Sequence, residues 1–377
     1  MTSAFVISRL IFYLTALFAT AFVPAVATNN APSALIGVSW QWDGYWYFNI
    51  ITEGYSWHPG MHSNVAFFPL FPMLVRLIAD IFSGVNIFTL GVMVNHVIFF
   101  FALIAVWFYA EGKAGAQVAG RSVLLLSVFP TAFFFAAAYS EAVFLLMSAS
   151  CLALLHRRRY LLAASAGLFA SLARPGGALL LVPYVIELWR LRGDGVRLRD
   201  LAPKLAAAAL IPSGVALYAL YLGSRFGEPF AFSLAQEAWG REMTFPLLAL
   251  GRATVALVVP QSHALPFFMN IANVAASIGA LALAVVLWRR DASGAAFVAL
   301  AVLAYLTYPV GPGSAAWDPW QGNSIQSMSR YVATLFPIFV PIARWTASPE
   351  RLALLCSLFV GLHVVLAALF MRGHYVF

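Results

Sequence analysis

Charge is scarce in this chain of 377 residues. Only 10% of the residues are Asp, Glu, Lys or Arg, whereas 62% are hydrophobic and the mean hydropathy is +0.86. A soluble globular domain carries about 25% charged residues, so the composition excludes one. A membrane-spanning helix needs about 20 apolar residues, and the chain has room for many. The sequence therefore predicts an all-α polytopic membrane protein.

Several chemical signatures are also missing. The two cysteines, Cys151 and Cys356, lie inside apolar runs without metal-ligand spacing. There is no Gly-rich phosphate loop and no Ser/His/Asp arrangement in a useful context. A nucleotide sugar would need a soluble nucleotide-binding region, which the chain lacks. The net charge of +8 is typical of nucleic-acid binders only at first sight, because the basic residues cluster in short loops between apolar runs.

The apolar runs predict one transmembrane domain over residues 1–377, with about eleven helices. The first is interpreted as a retained helix and not as a cleaved signal peptide. The predicted spans are 5–27, 87–110, 120–138, 141–156, 160–173, 177–190, 204–222, 265–288, 295–311, 329–346 and 351–370.

The positive-inside rule predicts the orientation. With the N-terminus inside, every basic loop is cytoplasmic, provided that residues 66–82 do not cross the membrane. Two prolines together with Arg76 and Asp80 suit an interfacial or re-entrant segment there. The outer side then holds three loops, which are residues 28–86, 223–264 and 312–328. The junction at Tyr139 and the helix break at Arg174 face the same side, which predicts a site at the outer face.

The aromatic segment from Trp40 to Tyr47 surrounds a single carboxylate, Asp43. A base must be held within hydrogen-bond reach of the proton it takes, and the flanking rings Trp42, Trp46 and Tyr47 suit a sugar pocket. Asp43 is thus the candidate base. The alternative is that Asp43 only caps an interfacial helix while the rings form a membrane belt.

Three further ionisable residues lie at span ends on the predicted outer side. Glu141 starts one span, and its alternative role is to pair with an arginine so that its burial is tolerated. Arg174, before Pro175 and two glycines, is predicted to bind a phosphate at a break between half-helices. Arg330 is assigned the same role. The alternative for both arginines is that they extend towards the interface from a span end.

The histidines predict no zinc site. His58 and His62 are four residues apart, but Pro59 and Gly60 lie between them, which argues against a helical metal pair. Both are interpreted as possible substrate contacts. His96 shares no short spacing with them, and a metal bridged by two acids is not supported beside Asp43, because its neighbour is Gly44.

The motifs together resemble the PIG-V-like family, the GPI mannosyltransferase II relatives within the GT-C superfamily. The order of these motifs agrees over nearly the whole chain. The matching motifs are Trp42-Asp43-Gly44 with Gly54-Tyr55, Ala66-Phe67-Phe68-Pro69-Leu70-Phe71-Pro72, Pro130 with Tyr139-Ser140-Glu141, Arg174-Pro175-Gly176, and Ser329-Arg330-Tyr331 before Phe336-Pro337.

The resemblance implies a GT-C-type helical bundle and a glycosyltransferase that takes a sugar from a polyprenyl-phosphate donor. The family implies that this sugar is mannose. It places the essential acid of GT-C enzymes at Asp43, adds Tyr139 and Tyr331 to the surrounding residues, and implies no cofactor. The acceptor class stays open among a glycolipid, a glycan and a protein. The chain lacks the lumenal insertions of eukaryotic relatives, which implies a bacterial cytoplasmic membrane. The rival interpretations are a transporter or flippase of lipid-linked sugars and a membrane scaffold protein.

Overall fold

The computed structural model describes residues 1–26, 33–82, 84–258, 264–311 and 325–376. Parts of all three predicted outer loops, residues 28–32, 83, 259–263 and 312–324, lie outside the described residues. The described chain is helical throughout. Its α-helices are α1 Thr2–Phe22, α2 Ala34–Gly37, α3 Asp43–Thr52, α4 Leu70–Ile81, α5 Ile87–Ala114, α6 Ala116–Ser127, α7 Glu141–His156, α8 Tyr160–Ala173, α9 Leu181–Gly193, α10 Leu198–Ala208, α11 Leu210–Phe226, α12 Ala231–Leu234, α13 Pro246–Val255, α14 Ala264–Trp288, α15 Ala292–Leu306, α16 Met328–Ala333, α17 Phe339–Trp345 and α18 Pro349–Met371.

Short 3-10 helices connect several of these elements. They comprise Asn64–Ala66, Ala132–Phe135, Pro175–Leu180, Ala235–Trp239 and Phe336–Ile338. The extended pairing among the described ranges amounts to an isolated antiparallel bridge between Arg241 and Val310. The bundle is built by neighbouring helices: α5 packs on α6 and α7, α7 on α8, α8 on α11, α14 on α15, and α18 on α1.

Five helices in the described ranges are long and apolar enough to cross a membrane. They are Thr2–Phe22, Ile87–Ala114, Arg199–Phe226, Ala264–Trp288 and Pro349–Met371. Each overlaps one of the eleven predicted spans. Helices α7 and α8 have the predicted bounds but contain only 16 and 14 residues. The total of eleven crossings therefore stays a prediction.

Two of the predicted spans contain an irregular segment between helices. The span predicted at 120–138 ends as a helix at Ser127 and continues as a buried turn and a short 3-10 helix. The span predicted at 329–346 is interrupted at Leu335, before Phe336-Pro337. Proline lacks the backbone N–H that a helix interior needs, which accounts for the second break. The predicted span 295–311 also continues beyond the end of α15 at Leu306, and the span 177–190 begins within the 3-10 helix Pro175–Leu180.

The irregular segment after α6 lies inside the bundle, where lipid and water do not satisfy its backbone. Polar side chains from three long helices bind its carbonyls instead. The contacts are Arg9 Nη1 to Phe135 O at 3.4 Å, Asn95 Nδ2 to Ala137 O, and His363 Nδ1 with Phe129 O at 3.1 Å. The segment is thereby fixed directly before Glu141, and it presents the start of α7 to the neighbouring loops.

The first outer loop forms a separate aromatic layer. Helix α4 has 12 residues, or about 18 Å at 1.5 Å per residue, which is too short to span a bilayer. Tyr47 on α3 packs edge-on against Phe71 of α4, with ring centroids 5.4 Å apart. This length is compatible with an interfacial segment at 66–82, which stays a prediction.

The end of the bundle away from the first outer loop holds a pair of buried charges. Lys113 Nζ at the end of α5 lies 2.9 Å from Asp291 Oδ1, and Asp291 also caps α15 and accepts from Tyr109. This end carries the basic residues that the sequence places in the cytoplasm. From this end, α7 and α8 extend about 24 and 21 Å towards Glu141 and Arg174.

Candidate functional site

Asp43 is the first residue of α3, and its carboxylate does not cap the helix. The N-cap position is Trp42, which makes no side-chain cap bond and has a φ of 50°. That value is uncommon for a bulky residue and marks a constrained backbone. Tyr139 fixes the turn, since its hydroxyl donates to Gln41 O at 2.7 Å and accepts from Asp43 N at 3.0 Å. The Asp43 carboxylate is therefore not engaged in capping its own helix.

The four ionisable residues predicted for the outer face form one hydrogen-bonded chain. Arg330 Nη1 on α16 donates to Asp43 Oδ2 at 2.7 Å. Arg330 Nε donates to Glu141 Oε1, and Arg174 Nη2 donates to the same oxygen. The order is thus Asp43, Arg330, Glu141 and Arg174, with acid and base alternating. We call these four residues the ion chain.

The ion chain is buried at one end and accessible at the other. The side chain of Glu141 is 1% exposed and that of Arg330 is 8% exposed, whereas Asp43 is 32% exposed. The formal charges cancel, and such pairing makes the burial of charge tolerable. The pairing role that the sequence left open for Glu141 is therefore present. Asp43 is the member of the ion chain that is most exposed to solvent.

Hydroxyl groups and aromatic rings hold the two guanidinium groups in place. Ser140 Oγ accepts from Arg174 Nε at 3.0 Å and from the Tyr47 hydroxyl at 2.8 Å. Burial raises the pKa of Tyr47, which keeps that hydroxyl protonated as a donor. The Tyr331 ring lies 5.2 Å from the Arg174 guanidinium carbon. These contacts fix both the position and the plane of Arg174.

Arg330 lies between rings as well. Its guanidinium carbon is 4.6 Å from the Tyr139 ring centroid and 4.8 Å from that of Phe134. Both rings come from the buried segment that precedes α7, so the irregular backbone there positions the arginine. Helix α16 begins after Ser327, whose φ of 67° is a second left-handed conformation beside the ion chain.

Several polar atoms of the ion chain keep unused hydrogen-bonding capacity. Among the residues that the structure describes, no acceptor lies in hydrogen-bond geometry with Arg174 Nη1 or Arg330 Nη2. Glu141 Oε2 is buried and also lacks a partner there. A site with two unused cationic donors beside a reachable carboxylate is able to bind a phosphate next to a proton acceptor.

The structure sets His58, His62 and Trp46 apart from the ion chain. Trp46 lies over Phe67 with centroids 6.0 Å apart and 5.8 Å from Trp239. His62 packs edge-on against Trp239 at 4.8 Å, and His58 is exposed. Trp46, Trp239 and His62 thus form an aromatic wall, in which Trp46 lies about one helical turn after Asp43 on α3. The predicted role of His58, His62 and Trp46 in contacting substrate stays a prediction.

The tail after α18 lies beside Trp42, and no motif in the sequence indicates this contact. Trp42 Nε1 donates to His374 O at 3.3 Å, and the Trp42 ring contacts Tyr375 at 5.0 Å. Tyr375 in turn donates to Gln326 Oε1 at 2.9 Å. The tail therefore borders the site beside Asp43. No sequence signal pointed to it, because a short polar end after the last span is common.

The described residues contain no group of three or more His, Cys, Asp or Glu side chains arranged to hold a metal ion. Asp43 and Glu141 are joined through Arg330 and not through a shared cation site. The prediction that no metal is needed stays a prediction.

The comparison with protein families decides the resemblance. Residues 4–179 match the family described as mannosyltransferase (PIG-V). The resemblance inferred from the motifs is confirmed over that range, which contains Asp43, Glu141 and Arg174. Arg330 lies beyond it. No curated protein sequence matches the chain.

Solved structures of the oligosaccharyltransferase from Archaeoglobus fulgidus share the fold. The structure tethered to an acceptor peptide has a TM-score of 0.52 at 12% identity, over 99% of this chain and 55% of that one. The complex with zinc and sulfate has a TM-score of 0.49 at 12% identity, covering 98% and 53%. The complex with an inhibitory peptide and a dolichol-phosphate has a TM-score of 0.47 at 13% identity, over 99% of this chain and 55% of that one.

The chain thus spans about half the length of these solved structures. The predicted GT-C-type all-helical fold is confirmed. Together with the match to the PIG-V family, the apolar helices support an integral membrane protein.

Proposed function

We propose that the protein transfers mannose from a polyprenyl-phosphate donor to an acceptor hydroxyl on the extracytoplasmic side of a bacterial cytoplasmic membrane, with inversion. The observation that carries the proposal is the ion chain. It combines one reachable carboxylate, Asp43, with two arginines that keep unused donors. A glycosyl transfer from a lipid phosphate requires these two elements, which are a proton acceptor and a cationic cradle for the leaving phosphate.

The depth of the site favours a lipid-borne donor. Glu141 and Arg174 are separated from the basic end of the bundle by α7 and α8, about 24 and 21 Å long. The hydrocarbon core of a bilayer is about 30 Å thick. With the basic end at the inner interface, the ion chain is recessed below the outer one. A phosphate attached to a polyprenyl tail reaches that depth between helices, whereas a soluble nucleotide sugar would have to leave water.

The proposed reaction is a single displacement. Asp43 takes the proton of the acceptor hydroxyl as its oxygen attacks the anomeric carbon, and the bond to the phosphate oxygen breaks. The bond electrons leave with the phosphate, where Arg174 and Arg330 stabilise the charge. Glu141 positions both arginines. Attack on the face opposite the leaving group inverts the anomeric centre. Trp42, Trp46, Tyr47 and Tyr331 supply ring surface for the sugar and acceptor.

The test uses purified protein in liposomes with labelled polyprenyl-phosphate mannose and simple glycoside acceptors. We expect a new inverted glycosidic linkage with the wild type and at least a 100-fold loss with Asp43→Asn. Asp80→Asn, an exposed acid on α4, is the matched control and should stay active. Movement of the labelled lipid across the bilayer without a new linkage would identify a transporter. An Asp43→Asn protein with wild-type turnover would eliminate Asp43 as the base.

A further inference from the structure

We propose that Tyr305 donates its hydroxyl hydrogen to a phosphate oxygen of the lipid donor, beside Arg174. The inference rests on the proposed function and adds a donor-binding residue on a helix outside the range that matches the family. Tyr305 is the penultimate residue of α15, and no motif in the sequence singles it out.

The Tyr305 hydroxyl is buried, and its proton has no acceptor among the described residues. An unpaired buried hydroxyl is costly, and tyrosine hydroxyls in protein interiors usually find an acceptor. The neighbouring charge is the Arg174 guanidinium, which acts on the hydroxyl oxygen both as a charge and as a hydrogen-bond donor. A guanidinium has donors only, so Arg174 offers the Tyr305 proton no acceptor. The Tyr305 proton therefore needs an acceptor that the described part of the chain does not supply.

The position of Tyr305 is fixed from two sides. Its ring is stacked on Tyr331, with centroids 4.4 Å apart and an interplanar angle of 27°. Tyr331 also faces the Arg174 guanidinium. On the other side, a Cβ added to Gly176 would lie 3.0 Å from the Tyr305 hydroxyl oxygen. The glycine after Arg174-Pro175 thus leaves room for the phenol, and the hydroxyl is aimed at the helix break.

The surroundings specify the ligand as an anion. The Arg174 guanidinium and the Tyr305 hydroxyl are donors on the same side of the helix break, and the Tyr305 proton has no described acceptor. A phosphate oxygen accepts from both, whereas a sugar hydroxyl would satisfy one donor and bring another. Tyr305 lies 13 residues from the first residue of α15, or about 20 Å along the helix. That is close to the depth of Arg174 measured along α8.

The test is Tyr305→Phe, which removes only the hydroxyl. Because the proton of that hydroxyl has no described acceptor, the Tm without ligand should be unchanged or slightly higher. The KM for the polyprenyl-phosphate sugar should rise about 10- to 100-fold, the usual effect of losing a hydrogen bond to a charged group. The KM for the acceptor should not change. Tyr218→Phe is the control, since that hydroxyl donates to Val65 O at 2.8 Å and its loss should lower the Tm without altering the donor KM.

A binding measurement separates this inference from the proposed function. Polyprenyl phosphate without sugar should raise the Tm of the wild type and raise that of Tyr305→Phe much less. If the wild type is stabilised and the variant is stabilised equally, Tyr305 does not bind the phosphate and the inference fails alone. A lower Tm with unchanged donor affinity would mean that Tyr305 holds a structural water. A wild type that neither binds polyprenyl phosphate nor transfers sugar would overturn both proposals.

Discussion

Glu141 offers the sharpest test of how the ion chain is built. Its carboxylate receives one bond from Arg174 and one from Arg330, and its side chain is 1% exposed. Glu141→Gln preserves the shape but removes the charge between the two arginines. The ion chain then changes from neutral to a net charge of plus one, in a place that water does not reach.

The expected loss of stability follows from that charge. Removing one partner of a buried ion pair typically costs about 3–5 kcal/mol, since the remaining guanidinium groups are left uncompensated. The amide oxygen of glutamine still accepts one hydrogen bond, so we expect the lower end of that range, about 3 kcal/mol. The arginines should also separate, because two like charges now share one neutral acceptor.

The assay pairs thermal unfolding with kinetics of the folded fraction. Asp291→Asn is the matched control at the opposite end of the bundle, where the carboxylate is 4% exposed and binds Lys113 at 2.9 Å. Both variants should have a lower Tm. Only Glu141→Gln should raise the donor KM and lower turnover per folded molecule. Equal kinetic effects in the two variants would refute a positioning role for Glu141 and leave it as a structural counterion.

Three other outcomes are expected. Arg174→Lys should raise the donor KM by about tenfold or more without altering the acceptor KM, because an ammonium does not reproduce the fork that binds Ser140 and Glu141. Steady-state kinetics with each substrate varied in turn measures both constants. A donor KM equal to that of the wild type would count against the phosphate role. Tyr139→Phe removes two hydrogen bonds at the turn before Asp43 and should lower the stability by about 1–3 kcal/mol in thermal unfolding. A wild-type Tm would show that other contacts hold the turn. Burial raises the pKa of Tyr47, so the stability that this residue contributes is fully present below its ordinary pKa of 10.0 and is lost as the pH rises towards the folded pKa. The Tm should therefore fall less steeply in the alkaline range for Tyr47→Phe than for the wild type. Identical Tm profiles would contradict this expectation.

The fold was predictable where apolar runs coincide with helices. Helices α7 and α8 begin and end at the predicted residues, because Glu141 and Arg174 interrupt otherwise uniform apolar sequence. The predicted spans 120–138 and 329–346 contain helix breaks that the sequence did not indicate, because the apolar sequence continues where the helix ends. The polar residues that stabilise the first break, such as Arg9, are distant in sequence. Hydropathy therefore cannot detect the break.

The site was predictable as a set of residues but not as an arrangement. Each member of the ion chain stands out as an ionisable residue at a span end. Their connectivity depends on Arg330 reaching both acids, and that is set by the break around Leu335 and by the rings that flank the guanidinium. Tyr305 was invisible in the sequence for a different reason. A tyrosine near the end of an apolar helix is usually a membrane-interface residue, and only the missing acceptor distinguishes it.

The arrangement links the two halves of the proposed reaction. Arg330 is shared between Asp43 and Glu141, so its charge is balanced as long as Asp43 is ionised. When Asp43 takes the acceptor proton, that balance is lost and the ion chain gains a net positive charge. At the same moment the donor phosphate changes from a diester with one negative charge to a monoester that approaches two. The positive charge released by proton transfer thus appears beside the negative charge that develops on the leaving group. A base separated from the arginines would accept the same proton but would give the phosphate no such stabilisation, which is a physical reason for the acid and the cradle to share one arginine.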